Sequence, residues 1–95
     1  MKITFDKNGD VMDVALEGRL DTTTAPEFDS FVKDLEGVST LNINCKKLVY
    51  LSSAGLRVLL VAHKKMNGEM KLTNVCELVM EVLELTGFAD ILTIE

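Results

Sequence analysis

The chain has 95 residues, of which 47% are hydrophobic and 26% charged, a composition ordinary for one globular domain with its own core. Its formal net charge of −5 at pH 7 disfavours nucleic acid as a partner, because a nucleic-acid-binding face is basic. No apolar run approaches the roughly 20 residues of a membrane span, and no signal peptide is evident, so we expect a cytoplasmic protein without membrane insertion.

The first 17 residues predict a β-hairpin. Apolar and polar residues alternate over residues 3–5 and again over residues 12–17, which is the period of a half-buried strand. Asn8-Gly9 lies between the two segments and is typical of a two-residue turn, since both central residues must accept a positive φ. We therefore expect two antiparallel neighbouring strands.

A polar loop from Gly18 to Thr24 precedes the first predicted helix. Thr24 and Glu27 have the spacing of a capping box, with Thr24 as the N-cap. Apolar residues then recur at helical spacing from Phe28 to Leu35. Gly37 is expected to end this helix in the left-handed conformation.

The rest of the chain alternates strands and helices. Strands are predicted over residues 41–45, 69–73 and 91–94, and the central helix over residues 53–66. The last helix is predicted to begin with Asn74 as its N-cap and to end at Gly87. Cys45 and Cys76 lack metal-ligand spacing, so we expect two reduced thiols.

The resulting order is strand, strand, helix, strand, helix, strand, helix, strand, which is an α/β fold. The later strand–helix–strand units are long enough for right-handed parallel crossovers. We therefore predict a single domain over residues 1–95, with a mixed, mostly parallel β-sheet and its helices packed on it.

Two serines join the end of an apolar strand to the central helix, in the run Leu51-Ser52-Ser53-Ala54-Gly55-Leu56. Serine is a preferred N-cap, because its hydroxyl accepts a hydrogen bond from a free amide of the first turn. The free amides and the helix dipole also favour negative charge, so an exposed serine here is well placed to carry a phosphate. From these residues alone, capping is the preferred interpretation.

Nothing in the sequence indicates a catalytic or cofactor site. Gly-x-Ser-x-Gly, the Walker A pattern and a metal-ligand cluster are all missing from the sequence. His63 is the only histidine, and its lysine neighbours on a predicted helix indicate a surface residue. We predict no catalytic residues, no metal and no cofactor, and therefore not an enzyme.

Several short motifs together resemble the STAS family, the bacterial anti-anti-sigma factors. They are Gly18-Arg19-Leu20-Asp21 with the three threonines that follow, the strand from Leu41 to Cys45, the central serine stretch, and residues 83–88. The resemblance covers nearly the whole chain and implies a STAS-like domain over residues 1–95. It also implies that the protein antagonises an anti-sigma factor and so frees a sigma factor.

In the STAS family, a serine at the start of this helix is phosphorylated by an anti-sigma factor that is also an ATP-dependent serine kinase, and a serine phosphatase restores it. The family's usual run is Asp-Ser-Ser-Gly-Leu, with the first serine phosphorylated. Matching Gly55-Leu56 places Ser53 at the phosphoacceptor and Ser52 at the Asp position, so Ser53 is the implied site and Ser52 the fallback. The implied partner-binding residues are Asp21, Thr22, Thr23, Ser52, Ser53, Ala54, Gly55 and Arg57.

Three alternatives stay open at this point. Asp21 has two interpretations: it adds repulsion next to a phosphate on Ser53, or it is a loop residue that is solvated or forms an Asx-type turn leading into the first helix. The protein is alternatively a STAS subunit of a lipid-transport or sensory complex without phosphorylation. A third possibility is nucleotide binding, as in some STAS relatives, although no phosphate-cradling motif supports it.

Overall fold

Five strands form one sheet in the computed structural model, which describes residues 1–95. They lie side by side in chain order, and their bounds are β1 (Lys2–Asn8), β2 (Val11–Leu20), β3 (Thr40–Leu51), β4 (Met70–Thr73) and β5 (Thr93–Ile94). β1 is antiparallel to β2, and every other neighbouring pair is parallel. The predicted mixed, mostly parallel sheet is therefore confirmed.

Three helices connect the parallel strands: α1 (Ala25–Lys33), α2 (Ser53–Lys65) and α3 (Glu77–Leu85). Because each strand from β2 to β5 lies beside the one before it, right-handed crossovers place all three helices on the same face of the sheet. The opposite face carries exposed polar residues such as Asp13 and Asn44. No helix has the length and apolar character needed to cross a membrane.

One hydrophobic core lies between the sheet and the helices. Its largest fully buried side chains include Phe28 of α1, Leu59 of α2 and Leu83 of α3, which face Leu16 and Ile43 of the sheet. Burying a side chain of this size stabilises a fold by roughly 1.5–3 kcal/mol. The positions of the three helices, and therefore of their first residues, follow from this packing.

The strand ends differ from the prediction in two places. Asn8 pairs with Val11, so the hairpin turn is Gly9-Asp10 rather than Asn8-Gly9, and only Gly9 has a positive φ, of 64°. β3 extends over 12 residues instead of five, and two register shifts against β2 each accommodate an additional β3 residue. Such bulges interrupt the alternation on which the prediction relied.

The helix ends also need correction. α1 ends at Lys33, where the Lys65 ammonium donates hydrogen bonds to the last two carbonyls of the helix at 2.8 and 2.9 Å. Gly37 does adopt a positive φ, of 67°, but it lies in the loop beyond the helix. Asn74 has a φ of 55° and is not an N-cap, since α3 begins at Glu77.

The chain terminus forms less strand than predicted. Gly87 follows α3 in the left-handed conformation, as expected, with a φ of 81°. A short 3-10 helix, Phe88–Asp90, then occupies the segment before β5, which is only two residues long. β5 is nevertheless a strand of the sheet and lies at its edge, next to β4.

Candidate functional site

The carboxyl ends of β2 and β3 and the start of α2 meet at one edge of the sheet. Arg19 of β2 pairs with Tyr50 of β3, and the carbonyl of Leu20 accepts a hydrogen bond from the amide of Ser52 at 3.0 Å. α2 begins at the next residue, Ser53. The fold therefore brings the serine pair and the loop after β2 together.

The two serines use their hydroxyl groups differently. Ser52 is the N-cap of α2, and its half-buried side chain accepts a hydrogen bond from the amide of Gly55 at 3.4 Å. Ser53 is the first helical residue, is exposed, and its hydroxyl makes no hydrogen bond within the protein. Ser52 therefore has a structural role, while the hydroxyl of Ser53 is free for a reaction or a partner.

Gly55 allows the start of α2 to approach the sheet closely. A Cβ atom at this position would lie 2.7 Å from Cγ of Leu20, 2.8 Å from Cδ1 of Leu51 and 2.9 Å from the carbonyl oxygen of Leu20. Real Cβ atoms do not approach other atoms so closely, so only glycine fits here. Gly55 is buried, and it positions Ser53 rather than offering a surface of its own to a partner.

Asp21 organises the loop between β2 and α1. Its Oδ1 accepts hydrogen bonds from the hydroxyl of Thr23 at 2.7 Å and from the amides of Thr23 and Thr24 at 3.0 and 3.2 Å. The Thr23 hydroxyl is the main reason why the pKa of Asp21 falls from 3.8 to about 2. The Asx-type turn proposed for Asp21 is therefore confirmed, and its carboxylate is ionised throughout the physiological pH range.

The capping box predicted at the start of α1 is wrong. Thr24 does occupy the N-cap position, but its side chain does not cap the helix. Its hydroxyl instead donates to the carbonyl of Arg19 at 2.8 Å and accepts from the amide of Asp21 at 2.9 Å. The sequence pattern predicts that the Thr24 hydroxyl caps α1, but in the structure this hydroxyl stabilises the loop before the helix.

Arg19 and Tyr50 form a contact at this edge that the sequence analysis did not identify. The guanidinium carbon of Arg19 lies 4.0 Å from the centre of the Tyr50 ring, which is a cation–π geometry. Nε of Arg19 also lies 3.4 Å from Oδ2 of Asp21. The two residues are neighbours only because of the register shifts between β2 and β3, which left no signal in the sequence.

A groove of about 390 Å³ runs between α1 and α2, and Ala54, the residue after Ser53, is part of its lining. Its lining is mostly apolar and consists of Thr22, Ala25, Pro26, Asp29, Lys33, Ala54, Arg57, Val58 and Val61. Three of the residues implied as partner contacts, Thr22, Ala54 and Arg57, therefore lie on one concave surface. Arg57 is exposed and forms no ion pair, whereas Asp29 pairs with Lys33 at 2.8 Å.

No group of three or more His, Cys, Asp or Glu side chains in residues 1–95 is placed to hold a metal ion. Both cysteines are free, and burial, with a smaller contribution from nearby Cys76, raises the pKa of Cys45 to about 12. The edge presents the unbonded hydroxyls of Ser53 and Thr22, and Thr22 and the unpaired guanidinium of Arg57 both line the groove.

The family model of the STAS domain matches residues 2–95, and the chain belongs to this family. It is 31% identical over 96 residues to BtrV, a candidate anti-sigma factor antagonist of Bordetella bronchiseptica, covering 96% of this chain and 83% of BtrV. It is also 31% identical over 100 residues to the anti-sigma-B factor antagonist of Bacillus subtilis, covering 99% and 92% of the two chains.

Solved structures of the anti-sigma factor antagonist SpoIIAA of Bacillus have the same fold. The unphosphorylated form superimposes with a TM-score of 0.82 at 17% identity, covering 99% of this chain and 88% of SpoIIAA. The phosphorylated form superimposes with a TM-score of 0.76 at 16% identity, covering 99% and 91%. The architecture predicted from the sequence is thus that of the family.

Proposed function

We propose that this protein is an anti-sigma factor antagonist whose binding to an anti-sigma factor is switched off by phosphorylation of Ser53. The observation that carries the proposal is the exposed, unbonded hydroxyl of Ser53 at the first position of α2. The relatives in Bacillus and Bordetella, which are antagonists or candidate antagonists of anti-sigma factors, support the choice of partner. In its free form the protein occupies the anti-sigma factor, and the sigma factor is released.

Ser53 is a better acceptor than Ser52 for two reasons. Phosphorylation of Ser52 would turn its Oγ into a bridging ester oxygen, which is a weaker acceptor for the amide of Gly55, whereas Ser53 has no such bond to lose. Ser53 is also exposed, while Ser52 is only partly so, and a kinase must reach the hydroxyl oxygen. We therefore keep Ser53 as the site and retain Ser52 only as the fallback.

The proposed kinase is the anti-sigma factor itself, with ATP as the phosphoryl donor. The γ-phosphoryl group moves from ATP to the oxygen of Ser53, the hydroxyl proton is released, and ADP leaves. A serine phosphatase then hydrolyses the phosphoester and regenerates the hydroxyl and inorganic phosphate. The protein contributes no catalytic group to either step, and its part is to present Ser53 on a rigid helix start.

A phosphate at Ser53 changes the partner surface without requiring a new fold. It adds about −1.5 to −2 charges, and the free amides and dipole of a helix start tolerate negative charge. A partner surface shaped for a neutral hydroxyl would have to desolvate that charge, which costs several kcal/mol. Asp21, ionised at the same edge of the sheet, adds to the repulsion of a partner that carries carboxylates.

The groove between α1 and α2 supplies the surface for binding in the unphosphorylated state. Its apolar lining offers buried area, and Arg57 at its border offers a cation that no residue of this chain neutralises. A partner that inserts an apolar side chain beside an acidic one fits this combination. Thr22, Thr23 and Ala54 then lie within the same contact region.

Capture of partners from lysate of the native host tests the proposal. Wild-type protein and the Ser53→Asp variant are immobilised, and bound proteins are identified by mass spectrometry. Ser30→Asp, which adds the same charge at an exposed position of α1, is the matched control. We expect an ATP-binding kinase to be held by wild type and Ser30→Asp and to be lost from Ser53→Asp.

The same experiment can contradict the switch. An unchanged set of partners on Ser53→Asp, particularly subunits of a membrane transporter or a scaffold, would show that Ser53 does not control binding. That outcome would favour a STAS subunit of a lipid-transport or sensory complex. Heat released on titration of the free protein with ATP or GTP would indicate nucleotide binding instead.

A further inference from the structure

One side of α3 is uncovered and combines leucines with carboxylates. Leu78 and Leu85 are 54% and 79% exposed, and Val82 lies between them at half burial. Their spacing of four and then three residues aligns them along one side of the helix. Three exposed glutamates run beside this stripe. We name the α3 outer face by its six residues, Glu77, Leu78, Glu81, Val82, Glu84 and Leu85.

The charges on the α3 outer face are not balanced within the protein. None of its three glutamates forms an ion pair, and α3 itself contains no lysine, arginine or histidine. Glu81 follows Glu77 by four residues and precedes Glu84 by three, so neighbouring carboxylates repel each other. Glu84 also lies in the last turn, where the helix dipole disfavours an anion. A cationic partner would relieve both the repulsion between these carboxylates and the unfavourable position of Glu84 in the helix dipole.

We propose that the α3 outer face is a second docking surface, which binds a basic amphipathic helix of a partner protein. Apolar residues at this spacing are the usual anchors for a helix packed against another helix. Lysine or arginine residues beside the apolar stripe of the partner would meet the unpaired glutamates. The unpaired glutamates thus indicate that the partner is basic, and the leucine stripe indicates that the partner segment is a helix.

A second copy of this chain does not fit the same surface. Pairing two α3 outer faces would bring the three glutamates of each copy together, and each chain already has a formal net charge of −5. Like charges across an interface disfavour association. The occupant must therefore differ from this chain in charge.

The end of this surface at Leu85 is distant from the Ser53 site. Ser53 lies at the carboxyl edge of the sheet, where α2 begins, and α3 also begins at that edge after β4. Because a crossover helix runs back along the sheet, Leu85 at the end of α3 lies toward the opposite edge. We therefore expect a partner held mainly by Val82, Glu84 and Leu85 to bind whether or not Ser53 carries a phosphate.

A synthetic helical peptide tests the proposal directly. The probe carries leucines at four–three spacing flanked by lysines, and its control has every lysine replaced by glutamate. Titration of isotope-labelled protein by NMR reports which residues each peptide contacts. We expect the lysine peptide to shift resonances of α3, with an affinity at least about tenfold higher than that of the glutamate peptide and weakened by about 0.5 M salt.

Surface variants separate the two parts of the proposal. Leu78→Gln/Leu85→Gln should weaken the lysine peptide about tenfold by removing its apolar anchors, and Glu81→Gln/Glu84→Gln should weaken it and reduce its salt dependence. Phe5→Gln, on the edge strand β1 at the other side of the sheet, removes a 62% exposed apolar side chain and should leave the affinity for the lysine peptide unchanged. Circular dichroism of each variant verifies that the fold is retained.

Several outcomes would overturn this inference. They are equal binding of both peptides, resonance shifts scattered over the surface, or an affinity that the leucine variants leave unchanged. A dimer in sedimentation experiments that Leu78→Gln/Leu85→Gln dissociates would make a second copy the occupant. Loss of the lysine peptide in Ser53→Asp would show that the surface is not independent of the phosphorylation site.

Discussion

The starts of α1 and α2 lie side by side at one edge of the sheet, yet they use their hydroxyl groups in opposite ways. At α1, Thr23 donates to Asp21 and Thr24 bonds back into the loop, so both hydroxyls serve the loop. At α2, Ser52 caps the helix and Ser53 is left without a partner. At the start of α2, the hydroxyl of Ser53 is available because Ser52 has already taken the capping role.

The two starts are also fixed by different means. The loop before α1 is held partly by hydrogen bonds to the carboxylate of Asp21, which weaken when that group is protonated. The start of α2 is held by close packing of Gly55 against Leu20 and Leu51, which is independent of pH. We expect α2 to keep Ser53 in place under conditions that loosen the loop beside it.

The largest effect is expected at Gly55. Gly55→Ala would place a methyl group within 3 Å of the β2 backbone, so we expect a loss of about 1–3 kcal/mol in the free energy of unfolding. Urea denaturation measures this loss, with Ala54→Gly as a control that should cost up to about 1 kcal/mol. A gain of stability in Gly55→Ala, as in an uncrowded helix, would contradict the close packing.

The serine pair should respond unequally to the same substitution. Ser52→Ala removes the N-cap of α2 and should cost about 0.5–1 kcal/mol in the free energy of unfolding. Ser53→Ala removes no hydrogen bond and should stay within about 0.5 kcal/mol of wild type. Equal losses in the two variants would mean that the hydroxyl of Ser53 has a structural partner.

The smallest effect is expected from protonation of Asp21, because its carboxyl group is in contact with solvent. Its pKa is lower in the folded protein, about 2, than the ordinary 3.8, so the ionised form stabilises the fold. That contribution is complete above about pH 4 and is lost as the pH falls toward about 2. Asp21→Ala should therefore be less stable than wild type at pH 7, and the difference should shrink below pH 4.

A titration of the Asp21 carboxyl carbon by NMR gives an independent measure of that pKa. A midpoint near 3.8 would show that the hydrogen bonds from Thr23 and Thr24 do not hold in solution. A stability difference between Asp21→Ala and wild type that is the same at pH 7 and pH 2 would contradict the electrostatic account in the same way.

The sequence was sufficient for the fold because its signals are short-range. Alternation in the strands and the apolar stripes in the helices depend on residues a few positions apart. These patterns predicted the correct order of strands and helices and the mixed, mostly parallel sheet. The motif around Ser53 placed the serines at the start of α2, although the sequence alone did not decide which serine is the cap. The structure assigns that role to Ser52.

The features that the sequence did not reveal depend on contacts between distant residues. The redirected hydroxyl of Thr24 depends on how the loop closes on Arg19. The stacking of Arg19 on Tyr50 depends on two register shifts, and the need for glycine at position 55 depends on Leu20, 35 residues earlier in the sequence. None of these contacts has a periodicity that a single sequence displays.

The affinity of the captured anti-sigma factor for this protein before and after phosphorylation tests the central claim most directly. The kinase and ATP are used to phosphorylate wild type, mass spectrometry locates the phosphate, and calorimetry measures binding of both forms. The account predicts one phosphate on Ser53 and an affinity at least about 100-fold lower, which corresponds to about 3 kcal/mol. A phosphate on Ser52, or an equal affinity of the two forms, would contradict it.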